Sequence, residues 1–269
     1  MWEGIILAIE FVTETVNLHV DNRVATVEFN RPESLNSLNV EMLKGLAATF
    51  KKLSSSEDID IVILIGKGRA FSSGGDIKTM LAADNTQFPE VMEIISEVVS
   101  SLYTMPKLTI SAISGAAAGL GLSIALATDC IIAEKSSKLA MNFIGVGLIP
   151  DGGGHFFLEK RLGEDKAKQL IWEGKSLEAD EAYRKGLVDE VVSDGELMES
   201  VHLKLQRWLN SPVKAMIETK KIYIEKNSSK LFNILDLEKE AQYKMRHTQD
   251  HQEGVQAFIE KRRPVFKGK

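Results

Sequence analysis

The chain has 269 residues, with 33 Lys and Arg against 38 Asp and Glu, a formal charge of −5. Hydrophobic residues make up 44% and charged residues 26%, a composition that can bury a sizeable core and argues against disorder. The acidic balance argues against a general binder of nucleic acid or membrane surfaces, and a single cysteine, Cys130, excludes an internal disulfide, a cysteine-based zinc site and an iron–sulfur cluster.

A reducing, cytoplasmic setting is the default expectation, and no segment approaches the ~20 uninterrupted apolar residues of a membrane span. The start, MWEGIILAIEF, lacks a basic flank and is broken by Glu3 and Glu10; it reads as an extra strand or a disordered extension, not a signal peptide. TVNLHV and VATVEF alternate at period two around Asp21-Asn22, which predicts a β-hairpin. In LNVEMLKGLAATFKKL, the positions Leu43, Leu46, Ala47, Phe50 and Leu53 recur at helical spacing. IVILI (61–65) is a buried strand by its length and branching. PEVMEIISEVVSSLY carries Ile94, Ile95, Val98, Val99 and Leu102 on one helical stripe.

LTISAI and CIIA are again buried-strand material, separated by the apolar stretch GLGLSIALAT. Alternation of strand and helix to about residue 190 implies crossover connections and parallel strands. From 195 to 262 the pattern is helical only, with Asn227-Ser228-Ser229 predicting a break. The expected division is therefore an α/β core over 1–194 and a helical region over 195–269.

Three stretches could carry chemistry. GKGRAFSSGGDIK (66–78) follows the strand IVILI; its glycines let backbone approach a ligand, and a helix starting there would aim free N–H groups at an anion. Taken alone, it reads more readily as a plain strand–turn–helix connection. SGAAAGLGLSIALATDC (114–130) repeats the arrangement, and tight Gly/Ala helix packing explains it equally well. Two such loops could converge their N–H groups on one oxygen, forming an oxyanion hole. GLIPDGGG (147–154) is first of all a turn. Its Asp151 has apolar sequence neighbours, and a carboxylate in an apolar pocket can serve as a general base. The histidines 19, 155, 202, 247 and 251 form no HxxxH or HExxH motif; His247 and His251 read as a solvated face, not a metal site. No GxSxG elbow occurs, and Cys130 reads as an inert core thiol.

In order, NRPESLNSLN, GRAFSSGGDI, GAAAGLGLSIALATD, GLIPDGGG, SLEADEAYRKGLVDEVV and EGVQAFIEKRRPVF resemble the crotonase, or enoyl-CoA hydratase/isomerase, superfamily over nearly the whole chain from about residue 15. The resemblance implies an α/β fold, a crotonase-like spiral of ββα units, with C-terminal helices that drive trimerisation, commonly as a dimer of trimers. It implies acyl-CoA thioester substrates, coenzyme A being part of the substrate, with no separate cofactor and no metal. By position, the backbone N–H groups of Gly75 and Leu120 would hold the thioester oxygen, although Leu120 stands where the family usually has glycine. Ser73 and Lys78 would contact the adenosine end of coenzyme A, and Phe258 and Lys261 would reach it from a neighbouring subunit.

Family hydratases use two glutamates, and in register this sequence has Ser123 and Phe143 instead. Asp151 matches the acid of double-bond-shifting members, and GLIPDGG looks most like the ring-opening epoxyphenylacetyl-CoA isomerases. It also aligns with the acid of the aryl-CoA dehalogenases, but Phe143 stands where those have tryptophan. The expected activity is conversion of a 3-enoyl-CoA to a 2-enoyl-CoA by the single acid Asp151. The alternatives are an enoyl-CoA hydratase of β-oxidation and a catalytically silent acyl-CoA binder. Apolar residues Leu203, Leu205, Trp208, Met216, Ile217 and Ile222 on the terminal helices predict a trimer-based oligomer.

Overall fold

The structure is a computed structural model that describes residues 13–76 and 88–269. The first twelve residues, Lys78 and the start of any helix after Gly75 lie outside the described residues.

The predicted hairpin is present as antiparallel strands β1 (Val16–Asp21) and β2 (Val24–Phe29). Asp21 already pairs with Val24, so the turn falls one residue later than expected, on Asn22-Arg23. Asn22 takes φ +51, a left-handed conformation that asparagine tolerates. Asn39 then caps helix α1 (Val40–Ser55), its side chain accepting the N–H of Met42 at 2.9 Å. All five predicted stripe residues of α1 are buried.

Strands β3 (Ile61–Gly66), β5 (Leu108–Ile113), β7 (Cys130–Glu134) and β10 (Glu190–Val192) add in parallel to β2, giving the sheet order β1-β2-β3-β5-β7-β10. Four three-residue strands form a second sheet in the order β4 (Ala70–Ser72), β6 (Ala116–Ala118), β8 (Lys138–Ala140), β9 (Ser176–Glu178). β3 and β4, β5 and β6, and β7 and β8 are successive pairs, one strand in each sheet. Each pair leads to helix: α2 (Phe88–Thr104), α3 (Leu120–Leu126), then α4 (Gly154–Leu162) and α5 (Glu164–Glu173). α6 (Ala179–Lys185) links β9 to β10.

Alternation along β3 divides the core. Val62 and Leu64 join the large cluster under α1 and α2, whereas Ile61 and Ile63 pack with Leu197 and Val201 of α7 (Leu197–Leu209) and Val213 and Ile217 of α8 (Val213–Arg246). The C-terminal helices thus cover the second face of the six-stranded sheet, as burial of an all-parallel region requires. Leu205, Trp208 and Met216 are partly buried there, whereas Leu203 and Ile222 are exposed.

α8 runs 34 residues without interruption, so the predicted break at Asn227-Ser228-Ser229 does not occur. Asn227 and Ser228 instead bond back to the carbonyls of Tyr223 and Ile224, at 2.7 and 2.6 Å, which absorbs their polar groups within the helix. At 1.5 Å per residue α8 is about 50 Å long, enough to leave the sheet face and reach α2 and α4 near the mouths of the short strands. α9 (Gln249–Ile259) closes the fold. No described helix is long and apolar enough to cross a membrane.

Candidate active site

Because β4, β6 and β8 are parallel neighbours, the segments leaving their carboxyl ends lie side by side, where ligands of open α/β sheets gather. Gly74 follows β4 with φ +92, and a Cβ there would stand 2.7 Å from the Ala118 carbonyl oxygen and 3.5 Å from Gly119 Cα. Only glycine permits this approach. The two glycine-rich loops predicted from sequence therefore touch. A bridge from Leu38 braces the first loop: Leu38 N–H donates to the Gly74 carbonyl at 2.8 Å, and Asp76 N–H to the Leu38 carbonyl at 3.2 Å. Gly119, φ +51, precedes α3, leaving Leu120 as the first helical residue. Among the described residues, no acceptor takes the N–H of Gly75 or of Leu120.

The Leu120 side chain is buried and points to the 150–153 turn; a Cβ on Gly152 would stand 2.5 Å from Leu120 Cδ1. The Leu120 side chain is thus absorbed by packing. Phe143, after β8, sets its ring edge 3.6 Å from where a Gly119 Cβ would be. Ser123, fully buried on α3, donates to the main-chain carbonyl of Asp151 at 2.7 Å.

Asp151 is 7% exposed. Its Oδ2 accepts from Gln242 Nε2 at 3.1 Å, and its Oδ1 is buried without a hydrogen-bond partner among the described residues. Burial, reinforced by the negative charge of Glu238 and opposed by the Gln242 bond, pushes the carboxyl up to about 7. Such a group exchanges a proton near neutrality.

Glu238 and Gln242, which the sequence reading did not single out, are the side chains that meet the Asp151 turn from α8. Both lie on α8, 2% and 1% exposed. Glu238 accepts the N–H groups of Gly153 and His155, at 2.7 and 3.0 Å, and His155 Nδ1 at 2.7 Å. It thereby satisfies two of the donors that open α4, while the Gly154 N–H donates to the Asp151 carbonyl at 3.2 Å. A signal was present: Leu231, Leu235, Glu238 and Gln242 share one buried stripe, and polar residues that continue an apolar stripe mark a buried polar network.

The remaining candidates are dispersed. Ser73 sits on the first loop, its N–H donating to the Leu35 carbonyl and its hydroxyl to that of Ser34. Phe258 is 59% exposed near the end of α9, and Lys261 is exposed just beyond it. Cys130 is buried at the start of β7, and burial pushes its thiol up to about 11. His251 departs from the solvated reading: it is buried, with Nδ1 2.8 Å from the Val146 carbonyl oxygen, and burial lowers its pKa. α9 presses close enough that a Cβ on Gly254 would stand 2.7 Å from Val146, which shields the ring from water.

Paired parallel strands in two sheets, with a helical C-terminal region, define a crotonase-type α/β protein. The chain belongs to the enoyl-CoA hydratase/isomerase family, whose model it matches over residues 19–269, a family of enzymes acting on acyl-CoA thioesters. It is 48% identical over 254 residues to YhaR of Bacillus subtilis, named as an enoyl-CoA hydratase/isomerase, covering 94% of this chain and 99% of that protein. It is 34% identical over 260 residues to the 1,2-epoxyphenylacetyl-CoA isomerase of Escherichia coli, covering 95% and 99%. The crystal structure of an enoyl-CoA hydratase from Mycobacterium avium subsp. paratuberculosis superposes with a TM-score of 0.86 at 30% identity, covering 94% and 98%.

Proposed function

We propose that this chain is an acyl-CoA isomerase that shifts a double bond with one carboxylate. The observation that carries the reading is Asp151: a buried carboxyl near neutral pKa with one oxygen unpartnered among the described residues, in a turn that packs on Leu120 of the second glycine loop, which itself touches the first. The Asp151 carboxylate takes a proton from C2 of a 3-enoyl-CoA. The electron pair moves onto the thioester oxygen, and the N–H groups of Gly75 and Leu120 hold that developing charge. The same acid returns the proton at C4, leaving the double bond between C2 and C3.

Two features support isomerisation over hydration. Ser123 and Phe143 stand where the family's hydratases carry glutamates, and the Ser123 hydroxyl is engaged with the Asp151 carbonyl. The likeness to a 1,2-epoxyphenylacetyl-CoA isomerase extends over 99% of that protein, which makes ring-containing thioesters part of the substrate range to test. Coenzyme A enters as part of the substrate. Ser73 and Lys78 are proposed to contact its adenosine end, and Phe258 and Lys261 to reach it from a neighbouring subunit of a trimer or dimer of trimers. The test is ultraviolet absorbance of the conjugated thioester formed from straight-chain and aromatic 3-enoyl-CoA esters. No signal across that panel refutes the reading, and loss of 2-enoyl-CoA absorbance identifies a hydratase instead.

A further inference from the structure

We propose that Gln242, with Glu238 one helical turn before it, positions the Asp151 carboxyl: Gln242 ties down one oxygen so that the other alone is presented for proton transfer, and Glu238 fixes the turn that aims it. The inference rests on the reading of Asp151 as the proton carrier.

Residues 238 and 242 share a helix face by their i,i+4 spacing, and both are buried. Together they stitch α8 to both flanks of Asp151. On one side Gln242 Oε1 accepts the N–H of Ile149 at 3.4 Å while its Nε2 donates to Asp151 Oδ2. On the other side Glu238 takes the N–H groups of Gly153 and His155. A brace of purely structural purpose needs acceptors for those amides. It does not need a donor aimed at one carboxylate oxygen, nor does it leave the second oxygen buried and unpaired, an arrangement that interiors otherwise avoid. Gln242 therefore distinguishes the two oxygens, and Oδ1 is the one left for substrate.

Among the described residues, Glu238 is the ionisable group that acts on Asp151. His155, at the start of α4, is hydrogen-bonded to Glu238. α3, whose Ser123 meets the turn, has the sequence LGLSIAL and no ionisable side chain, and α2 meets the turn through Val99 at Gly152. Two replacements one helical turn apart must therefore act in opposite directions. Gln242→Met keeps the side-chain length and removes the donor that favours the carboxylate. Glu238→Gln removes a charge that disfavours it.

The experiment measures kcat/KM against pH on a 3-enoyl-CoA for both variants. Activity of the wild-type enzyme rises through the Asp151 pKa, near 7, as the base form appears. Gln242→Met is expected to move this limb up by about 1 unit and Glu238→Gln to move it down by about 1 unit. In Gln242→Met the plateau kcat should fall about tenfold with KM held, as misplacement of a proton carrier dictates. Infrared titration of the resting protein, with the neutral-acid band assigned by its loss in Asp151→Asn, reads the same shifts without turnover. Absence of isomerase activity in the wild type would refute the functional reading while leaving this infrared test in force. An unmoved limb and an unmoved band in whichever variant folds would overturn the positioning role. So would failure of both variants to fold, which would make the pair a structural brace.

Discussion

Replacing Asp151 with asparagine separates a catalytic carboxyl from a turn-forming one, because the two roles predict opposite patterns of activity and stability. Asparagine can keep the acceptor facing Gln242 Nε2 and places an amide where the unpartnered Oδ1 stands, so the turn geometry survives. It cannot carry the proton, and turnover should fall by at least the ~10²–10⁴ supplied by general acid–base catalysis. The stability change follows from linkage. The folded carboxyl is raised from its ordinary 3.8 to about 7, so it holds its proton where the unfolded chain has released it. The resulting stabilisation is complete below 3.8 and is lost as pH rises through about 7. At 1.36 kcal/mol per unit the whole effect is about 4 kcal/mol, of which about 3 kcal/mol disappears between pH 5 and pH 8. Asparagine has no such dependence. The difference in Tm between Asp151→Asn and wild type should therefore widen in favour of the variant, by roughly 5–10 °C, from pH 5 to pH 8. Melting scans at the two pH values, with the ultraviolet isomerase assay on the same preparations, check both halves. A well-folded variant with near-wild-type turnover would refute the single-acid mechanism, and a pH-independent Tm difference would refute the buried, proton-retaining carboxyl.

Other outcomes follow from the same geometry. Gly74→Ala forces a side chain at φ +92 to within 2.7 Å of the Ala118 carbonyl oxygen; by spreading the loops it should lower kcat by ~10²–10³, the cost of one oxyanion donor, in the same isomerase assay. Leu120→Ala keeps the amide but vacates the space against Gly152, and should cost ~2–4 kcal/mol by denaturant titration while turnover per folded molecule stays within about threefold. Light scattering at micromolar concentration should give a trimer or a multiple of it, since Leu203, Ile222, Phe232 and Leu237 are exposed along α7 and α8 and such apolar area is covered by association; a monomer contradicts this.

What the sequence discloses and what it conceals divide along a physical line. Most of the six-stranded sheet is legible: β1 and β2 alternate at period two, and β3, β5 and β7 are runs of apolar, branched residues, whereas β10, three residues long, gives no such signal; α1 and α2 are legible because their stripes repeat at helical spacing. The second sheet is not, since strands of three residues show no period, and Ala116–Ala118 reads as loop. Yet this smaller sheet places both glycine loops and Phe143 at neighbouring strand ends. The loops could be recognised by their glycines, whereas their contact depends on parallel pairing between segments more than forty residues apart. Asp151 was visible as an acid in an apolar run, but an apolar run in sequence says little about burial in three dimensions. Its raised pKa comes first from that burial and then from the charge of Glu238 on α8, eighty-seven residues further on, and that helix reads in sequence as an assembly element. The Asn-Ser-Ser triplet even suggested that α8 was broken before it reached the site. Local propensity gave way to side-chain bonds with the preceding turn, and the uninterrupted helix carries two polar residues to the one carboxyl that needs them. One element thus covers the sheet at its start and surrounds the candidate proton carrier near its end, so changes that loosen α8 should disturb proton transfer before they unfold the core.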